Sequence, residues 1–293
     1  MSTEITKKIF LSLGESKNLY SEITPNAVSA SKVSWSTTNS SVATVTGSLN
    51  KYVNQSIGTV QAIAHGKATI KASVPKYIPG VHLTVAEVTD TCEVTVLPKN
   101  VKIYLSPENV EKWKDMPGFG FYGNERTQMK ALANKVYQYL SNHGCDVTLG
   151  YNTEASNTPA EYAIPRKDES NIMYDSNPNG INLHVCIHSN GLDGTAIGPR
   201  VFYLNNDTKG AKFAQIVYDE LFNLYKKSFP NAIKTDTKNS GNDYVELRET
   251  KATAILVETA FHDNVNDAHW IIDKMDSIAE TISEGIIGYL CSL

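Results

Sequence analysis

The feature that most constrains this chain is a change of pattern at Leu97-Pro98-Lys99-Asn100. Before it, short apolar alternations recur between turn residues, with no helical period. After it, strand-like runs alternate with stretches that place apolar residues three and four apart. One core does not serve both patterns, and 293 residues are long for one core in any case. Two domains are expected, 1–99 and 100–293. The expected fold class is multi-domain: an N-terminal all-β sandwich, then an α/β domain with a mostly parallel twisted sheet flanked by helices.

In the front domain the β runs are Ile9–Leu13, Lys32–Ser36, Val42–Val45, Thr59–Ala64, Ala68–Ser73 and Cys92–Leu97. Gly14, Asn39, Gly47, Gly58 and Gly66 punctuate them, which is the pattern of a sandwich of short strands. Trp35 is expected to fill the space between its sheets. The segment resembles the bacterial Ig-like group 2 domain. The likeness lies in Trp35-Ser36, Asn39-Ser40-Ser41-Val42-Ala43-Thr44-Val45, Gly58-Thr59-Val60-Gln61-Ala62, Gly66-Lys67-Ala68-Thr69-Ile70 and Cys92-Glu93-Val94-Thr95-Val96. The resemblance implies a spacer, adhesion or wall-associated module.

Beyond the boundary, Val101–Leu105, Asp146–Leu149, Ile181–His188, Arg200–Leu204 and Ala254–Glu258 read as strands. Glu125–Asn142, Thr208–Lys227 and Asp267–Leu290 read as helices, and Tyr151–Tyr162 as a polar loop over the groove. Charge divides unequally. Residues 1–99 hold nine lysines and six acids, while the remainder holds 18 basic and 25 acidic residues. An acidic rear domain argues against nucleic acid as a partner. The cysteines Cys92, Cys145, Cys186 and Cys291 lack ligand-like spacing and read as small hydrophobes.

Active sites of α/β sheets gather at the carboxyl ends of strands. Here His188 ends one strand, Glu258 ends another and is followed by His262, and Glu125 opens a helix. A glutamate at a helix start has a bland explanation, since an acid there gains only ~0.3–1 kcal/mol from the dipole. Together, a His, two Glu and a further His toward one sheet edge fit a zinc hydrolase site.

The ordered set Asn124-Glu125, Cys186-Ile187-His188-Ser189-Asn190 and Leu247-Arg248 with Ala254-Ile255-Leu256-Val257-Glu258-Thr259-Ala260-Phe261 resembles the zinc N-acetylmuramoyl-L-alanine amidases. That family includes many phage and sporulation lysins. The resemblance implies Zn2+ as cofactor, Glu125 and His188 as ligands and Glu258 as catalytic base. Asn190 and Arg248 are expected to bind substrate, Arg248 through a stem-peptide carboxylate or by orienting Glu258, with a surface ion pair to Glu246 or Glu249 as the rival reading. One departure matters. The family usually presents its first ligand as a histidine in a Gly-His-Gly loop after strand one, where this chain has Leu105-Ser106-Pro107-Glu108-Asn109-Val110.

Three repairs present themselves. Asn109 aligns with the missing histidine but is a poor zinc donor. Glu108 or Glu111 offers a carboxylate. His262, in Phe261-His262-Asp263-Asn264, leaves the same strand as Glu258 and is favoured as third ligand, with Asp263 or another acid orienting its second nitrogen. The segment also resembles a clostridial and phage subgroup of these amidases.

Of the other histidines, His184 is expected in the core, and His143, His269, His65 and His82 as structural or solvated. Arg166 is expected to be structural, and Trp113, Phe119, Phe121 and Tyr122 to stack on substrate or pack their loop.

The functional expectation is a peptidoglycan hydrolase cleaving the amide between N-acetylmuramic acid and L-alanine. Its rivals are an amidase-fold module that only grips cell wall, and a phage-structural or adhesion protein. Met-Ser-Thr-Glu-Ile-Thr-Lys-Lys leads into no long apolar run, and no segment has the ~20 apolar residues of a membrane helix. Cytoplasmic synthesis without a secretory signal is expected, with action on the wall after release, as for a phage lysin. Oligomeric state, host range and stem-peptide preference are left open.

Overall fold

The computed structural model describes residues 2–24, 30–74, 88–110, 124–150, 155–235 and 243–293. Contacts divide the chain into two units, Met1–Lys99 with Leu290–Leu293, and Asn100–Tyr289. The last four residues thus group with the first unit, whereas the sequence reading assigned them to the second.

The first unit is a sandwich of two four-stranded sheets. One has the order β1-β3-β6-β5, from Ser2–Glu4, Ser16–Thr24, Gln55–Ala62 and Ala43–Asn50. The other is β2-β8-β7-β4, from Lys8–Ser12, Val88–Leu97, Gly66–Val74 and Ser34–Thr37. Alternation in β6 and β7 turns Val60, Ala62, Ala68, Ile70 and Ala72 inward, where each is buried. Trp35 is half-buried and packs on this core, its Nε1 donating to Ser56 Oγ at 2.9 Å. It needs glycine opposite: a Cβ on Gly58 would lie 2.5 Å from the indole.

The second unit is a five-stranded sheet of order β10-β9-β11-β13-β12. Its strands are β9 (Val101–Pro107), β10 (Asp146–Leu149), β11 (Ile181–Asn190), β12 (Arg200–Tyr203) and β13 (Thr253–Phe261). All neighbours are parallel except β12, which runs antiparallel to β13. The helices are α1 (Glu125–Asn142), α2 (Pro159–Asp175), α3 (Thr208–Ser228), α4 (Val245–Arg248), α5 (Val265–Asp273) and α6 (Met275–Cys291).

The expected single helix Asp267–Leu290 is two helices broken at Lys274. No Gly or Pro marks the break, and apolar residues recur across it. Helix α2 occupies part of the expected loop Tyr151–Tyr162. Its Pro165 and weak apolar periodicity disguise it, although Pro159 at its first turn suits a helix start.

Strand register sets the site. Because β9, β11 and β13 are parallel neighbours, residues in register share a face. Tyr104, His184 and Ala254 form one row, and Ser106, Cys186 and Leu256 the next. His188 and Glu258 are paired in the row above, and Glu108 follows Pro107 there, its amide donating to the Ile187 carbonyl at 3.0 Å. The opposite face carries Ile103, Leu105, Leu183, Val185, Ile187, Ile255 and Val257, all buried. Helix α1 presents buried Met129, Leu132, Ala133, Val136 and Leu140, and Thr259 Oγ1 meets Met129 Sδ at 3.9 Å. The Met, Leu and Val side chains among these each contribute about 1.5–3 kcal/mol when buried, which holds the start of α1 at the carboxyl edge of the sheet.

Candidate active site

Asn124 caps α1, its side chain accepting from the Thr127 amide at 2.9 Å, so Glu125 is the first helical residue. Its carboxylate reaches the end of β11, where Oε1 accepts from the Ser189 amide at 2.9 Å. Glu108 is fixed in another way. Its Oε1 accepts from the amides of Asn109 and Val110, both at 2.6 Å. Its Oε2 is left to face His188 Nδ1 at 3.1 Å and to accept from Tyr162 Oη at 3.1 Å. His188 Nδ1 is also 4.0 Å from Glu125 Oε1. Donor atoms of Glu108, Glu125 and His188 all lie within 4.8 Å of one another.

Glu258 stands beside His188 on β13, and all four residues are at most 8% exposed. His188 Nε2 and Glu258 Oε2 have no hydrogen-bond partner among the described residues. A cavity of about 380 Å³ opens here, lined by these four residues with Ser189, Asn190, Gly191, Leu192, His262 and Asp263. A second, mainly apolar cavity of about 340 Å³ shares His188 and is walled by Tyr162, Tyr244, Val245 and Leu256.

Three carboxylates crowd one imidazole, and proton affinities register the crowding. Burial and then the Glu108 charge hold the Glu125 carboxyl well above its usual range. Burial, with a lesser push from Glu108, raises Glu258 to about 7 against the pull of His188. Burial works against a charged His188, but the hydrogen bond and charge of Glu108, with Glu258 and Glu125, outweigh it and raise the group to about 9. Burial also disfavours the Glu108 carboxylate, yet His188 and two amides more than compensate and hold it low. A dry site with this many acids reaches neutrality either by holding extra protons or by taking up a cation. Two carboxylates and an imidazole are competent zinc donors, so the residues fit that ion.

The sequence favoured His262 as third ligand, and the structure groups Glu108 with Glu125 and His188 instead. His262 is buried in the cavity wall, with Nδ1 2.9 Å from Ser189 Oγ and 3.8 Å from Glu125 Oε2. Gly191 packs against its ring so tightly that a Cβ there would lie 2.7 Å from Nε2. Burial lowers its pKa, which keeps the ring neutral. Asp263 was expected to orient it; Oδ2 of that residue instead accepts from the amides of Leu192 and Gly194.

Asn190 lines the cavity, its carbonyl accepting from the His262 amide at 2.8 Å. Asn109 hydrogen-bonds Ser156 and Arg126. Arg248, expected to bind substrate, is exposed at the end of α4 and pairs with Glu249 at 2.9 Å. Glu111, His82, Trp113, Phe119, Phe121, Tyr122 and residues 151–154 lie outside the described residues.

Sequence reasoning missed Tyr162, Ser189 and Glu246. Tyr162 is placed by α2 and lies over Arg166, whose guanidinium is 4.9 Å from its ring and donates to Ser106 Oγ and the Pro107 carbonyl. Ser189 lies within Ile187-His188-Ser189-Asn190, where no local pattern sets it apart from its neighbours. Glu246 is buried on α4 and meets His184 Nε2 at 2.8 Å, with Cys186 beside them. These three also have ligand chemistry, but imidazole and carboxylate are closed on each other by a hydrogen bond, and Tyr104 stacks on the ring at 5.2 Å.

The model of the N-acetylmuramoyl-L-alanine amidase family matches residues 116–288, and that of the bacterial Ig-like domain (group 2) matches residues 2–85. The first span begins beyond β9 and Glu108, where the chain departs from the usual ligand loop. Among solved structures, N-acetylmuramoyl-L-alanine amidase AmiC2 of Nostoc punctiforme is similar at 20% identity and a TM-score of 0.52, over 65% of this chain and 97% of that one. N-acetylmuramoyl-L-alanine amidase from Clostridium difficile 630 is similar at 23% and 0.51, over 65% and 96%. The catalytic domain of the CD27L endolysin targeting Clostridia Difficile gives 23% and 0.50, over 64% and 96%. At these identities the structures attest the fold. No curated protein matches the chain.

Proposed function

The chain belongs to the N-acetylmuramoyl-L-alanine amidase family, and we propose that Glu108, Glu125 and His188 hold its zinc while Glu258 is its base. The activity is hydrolysis of peptidoglycan at the amide between N-acetylmuramic acid and L-alanine. What carries the assignment of residues is the row Glu108, His188 and Glu258 with Glu125: three buried carboxylates about one imidazole, open to a cavity.

Zinc, when bound there, supplies Lewis acidity toward water and toward the amide carbonyl. The chain's own groups do the rest. Glu258, raised to about 7 by burial, is poised to accept a proton from the attacking water near neutrality and to return it to the departing amine of L-alanine. Tyr162 and two backbone amides hold Glu108 in place, and the Ser189 amide holds Glu125. His262, kept neutral, adds no second cation to the row. Asn190 lies where a polar group of the substrate would enter. Wall lysis of the phage-lysin kind suits such an enzyme. Among the described residues no helix is long and apolar enough to cross a membrane.

The test is chemical. Digestion of purified peptidoglycan should release new α-amino groups on alanine without new reducing sugar ends. A chelator should stop it and zinc should restore it. Release of reducing ends, or digestion indifferent to chelation, would overturn the reading.

A further inference from the structure

Resting on the reading of this site as a metal centre, we infer that Glu108 makes it a centre for harder divalent cations as well, one that accepts manganese(II) alongside zinc. The donors grouped here are two carboxylates and one imidazole, with the third carboxylate, Glu258, beside them. Imidazole suits zinc, whereas carboxylate oxygen suits manganese and magnesium, so each exchange of nitrogen for charged oxygen reduces discrimination against the harder ion. Glu108 brings that oxygen from the loop in which the resembling family carries a histidine, one residue before Asn109, which aligns with it.

Glu108 is also held for this role. Both backbone amides act on Oε1, so Oε2 alone is directed at His188 and Tyr162. An oxygen fixed by buried neighbours costs little further ordering when it meets a cation. His262, the other histidine of the cavity wall, has Nδ1 on Ser189 and its ring packed on Gly191, and it lies outside the donors grouped above.

The experiment uses the full chain stripped of metal, titrated separately with zinc chloride and manganese chloride. Bound equivalents are read by elemental analysis and apparent affinities by the rise of Tm with metal concentration. The wild-type protein is expected to bind one equivalent of either ion. In Glu108→His the zinc-to-manganese affinity ratio should rise about ten-fold or more. Glu108→Gln, which keeps the shape and removes the charge, should weaken manganese more than zinc and serves if the histidine variant fails to fold. A ratio unchanged within two-fold in the folded variants overturns the inference while leaving a zinc amidase intact. So does a wild-type protein that binds zinc but no manganese. A wild-type protein that binds neither ion overturns the metal-centre reading with it.

Discussion

Strand β11 carries two histidines four residues apart on one face, each against a glutamate, and their surroundings are opposite. His184 is closed in: Glu246 takes its Nε2 at 2.8 Å, Tyr104 stacks on the ring, and neither member is more than 4% exposed. His188 meets Glu108 at 3.1 Å, but Glu125 and Glu258 crowd the same place and a cavity opens beside it. A histidine and a glutamate in contact therefore do not define a metal centre. What separates the two rows is surplus acid: the lower one sets one carboxylate against one imidazole, and the upper one gathers three carboxylates about one imidazole.

The largest effects should come from the upper row. Glu258→Gln removes the base without touching the proposed ligands, and should cost about 10²–10⁴-fold in wall hydrolysis with zinc content unchanged. Full activity in that variant would remove Glu258 from the chemistry. His188→Ala should lose zinc and activity together, and should also lower the Tm of the metal-free protein, because Glu108 is left buried without the cation it faces. His184→Ala should lower Tm and leave the metal in place. It leaves Glu246 buried without its partner, at a cost of about 3 kcal/mol, or a Tm lower by ~6–12 °C. Zinc content should persist in the folded fraction, and His184→Leu with Glu246→Leu should recover most of the stability. If His184→Ala instead loses zinc at an unchanged Tm, the distinction between the rows is wrong.

A subtler effect separates the rows by pH. Glu258 is raised from 4.5 to about 7 and His188 from 6.5 to about 9. Their protonated forms favour the folded state, so this stability is complete below the lower value of each and is lost as pH rises through the upper one. The metal-free protein should lose stability from these groups between pH ~4.5 and ~9. Glu108 is shifted the other way, and its contribution is lost only on acidification below that window. Zinc requires deprotonated ligands, so the Tm gained on adding zinc should grow steadily from pH ~5.5 to ~8.5, in wild type and in folded His184→Ala alike. A zinc gain independent of pH would mean that the ion sits elsewhere.

Much of this was legible in the sequence, for a physical reason. His188 and Glu258 end apolar runs of the kind that form parallel strands, and parallel strands deliver their last residues to one edge. Glu125 follows an asparagine cap. Local pattern does not say which way a loop residue turns. Glu108 and His262 are both candidates, and their positions are set by two amides after Pro107, by Ser189, and by the lack of a side chain at Gly191, none of which local pattern reveals. Glu246 was hidden because Tyr244-Val245-Glu246-Leu247-Arg248 reads as a charged surface turn, whereas packing of Leu247 on Cys186, Ala254 and Leu256 draws the glutamate inward with it.

That four-residue helix also supplies the smallest predicted effect and the finest test of the contrast. Glu246 and Arg248 are two positions apart on α4 and lie in opposite environments, one buried against His184 and the other exposed beside Glu249. An exposed ion pair of this kind contributes at most about 1 kcal/mol. Arg248→Ala should therefore change Tm by no more than ~2–4 °C, and wall hydrolysis by less than two-fold in kcat/KM. Glu246→Ala, on the same turn, should cost several times more stability, because it strands His184 in the core. The substrate-binding role that the sequence suggested for Arg248 makes the contrary forecast. If Arg248→Ala raised KM ten-fold at an unchanged Tm, α4 would contact the wall substrate, and the boundary between the closed lower row and the open upper one would have to be moved to include it.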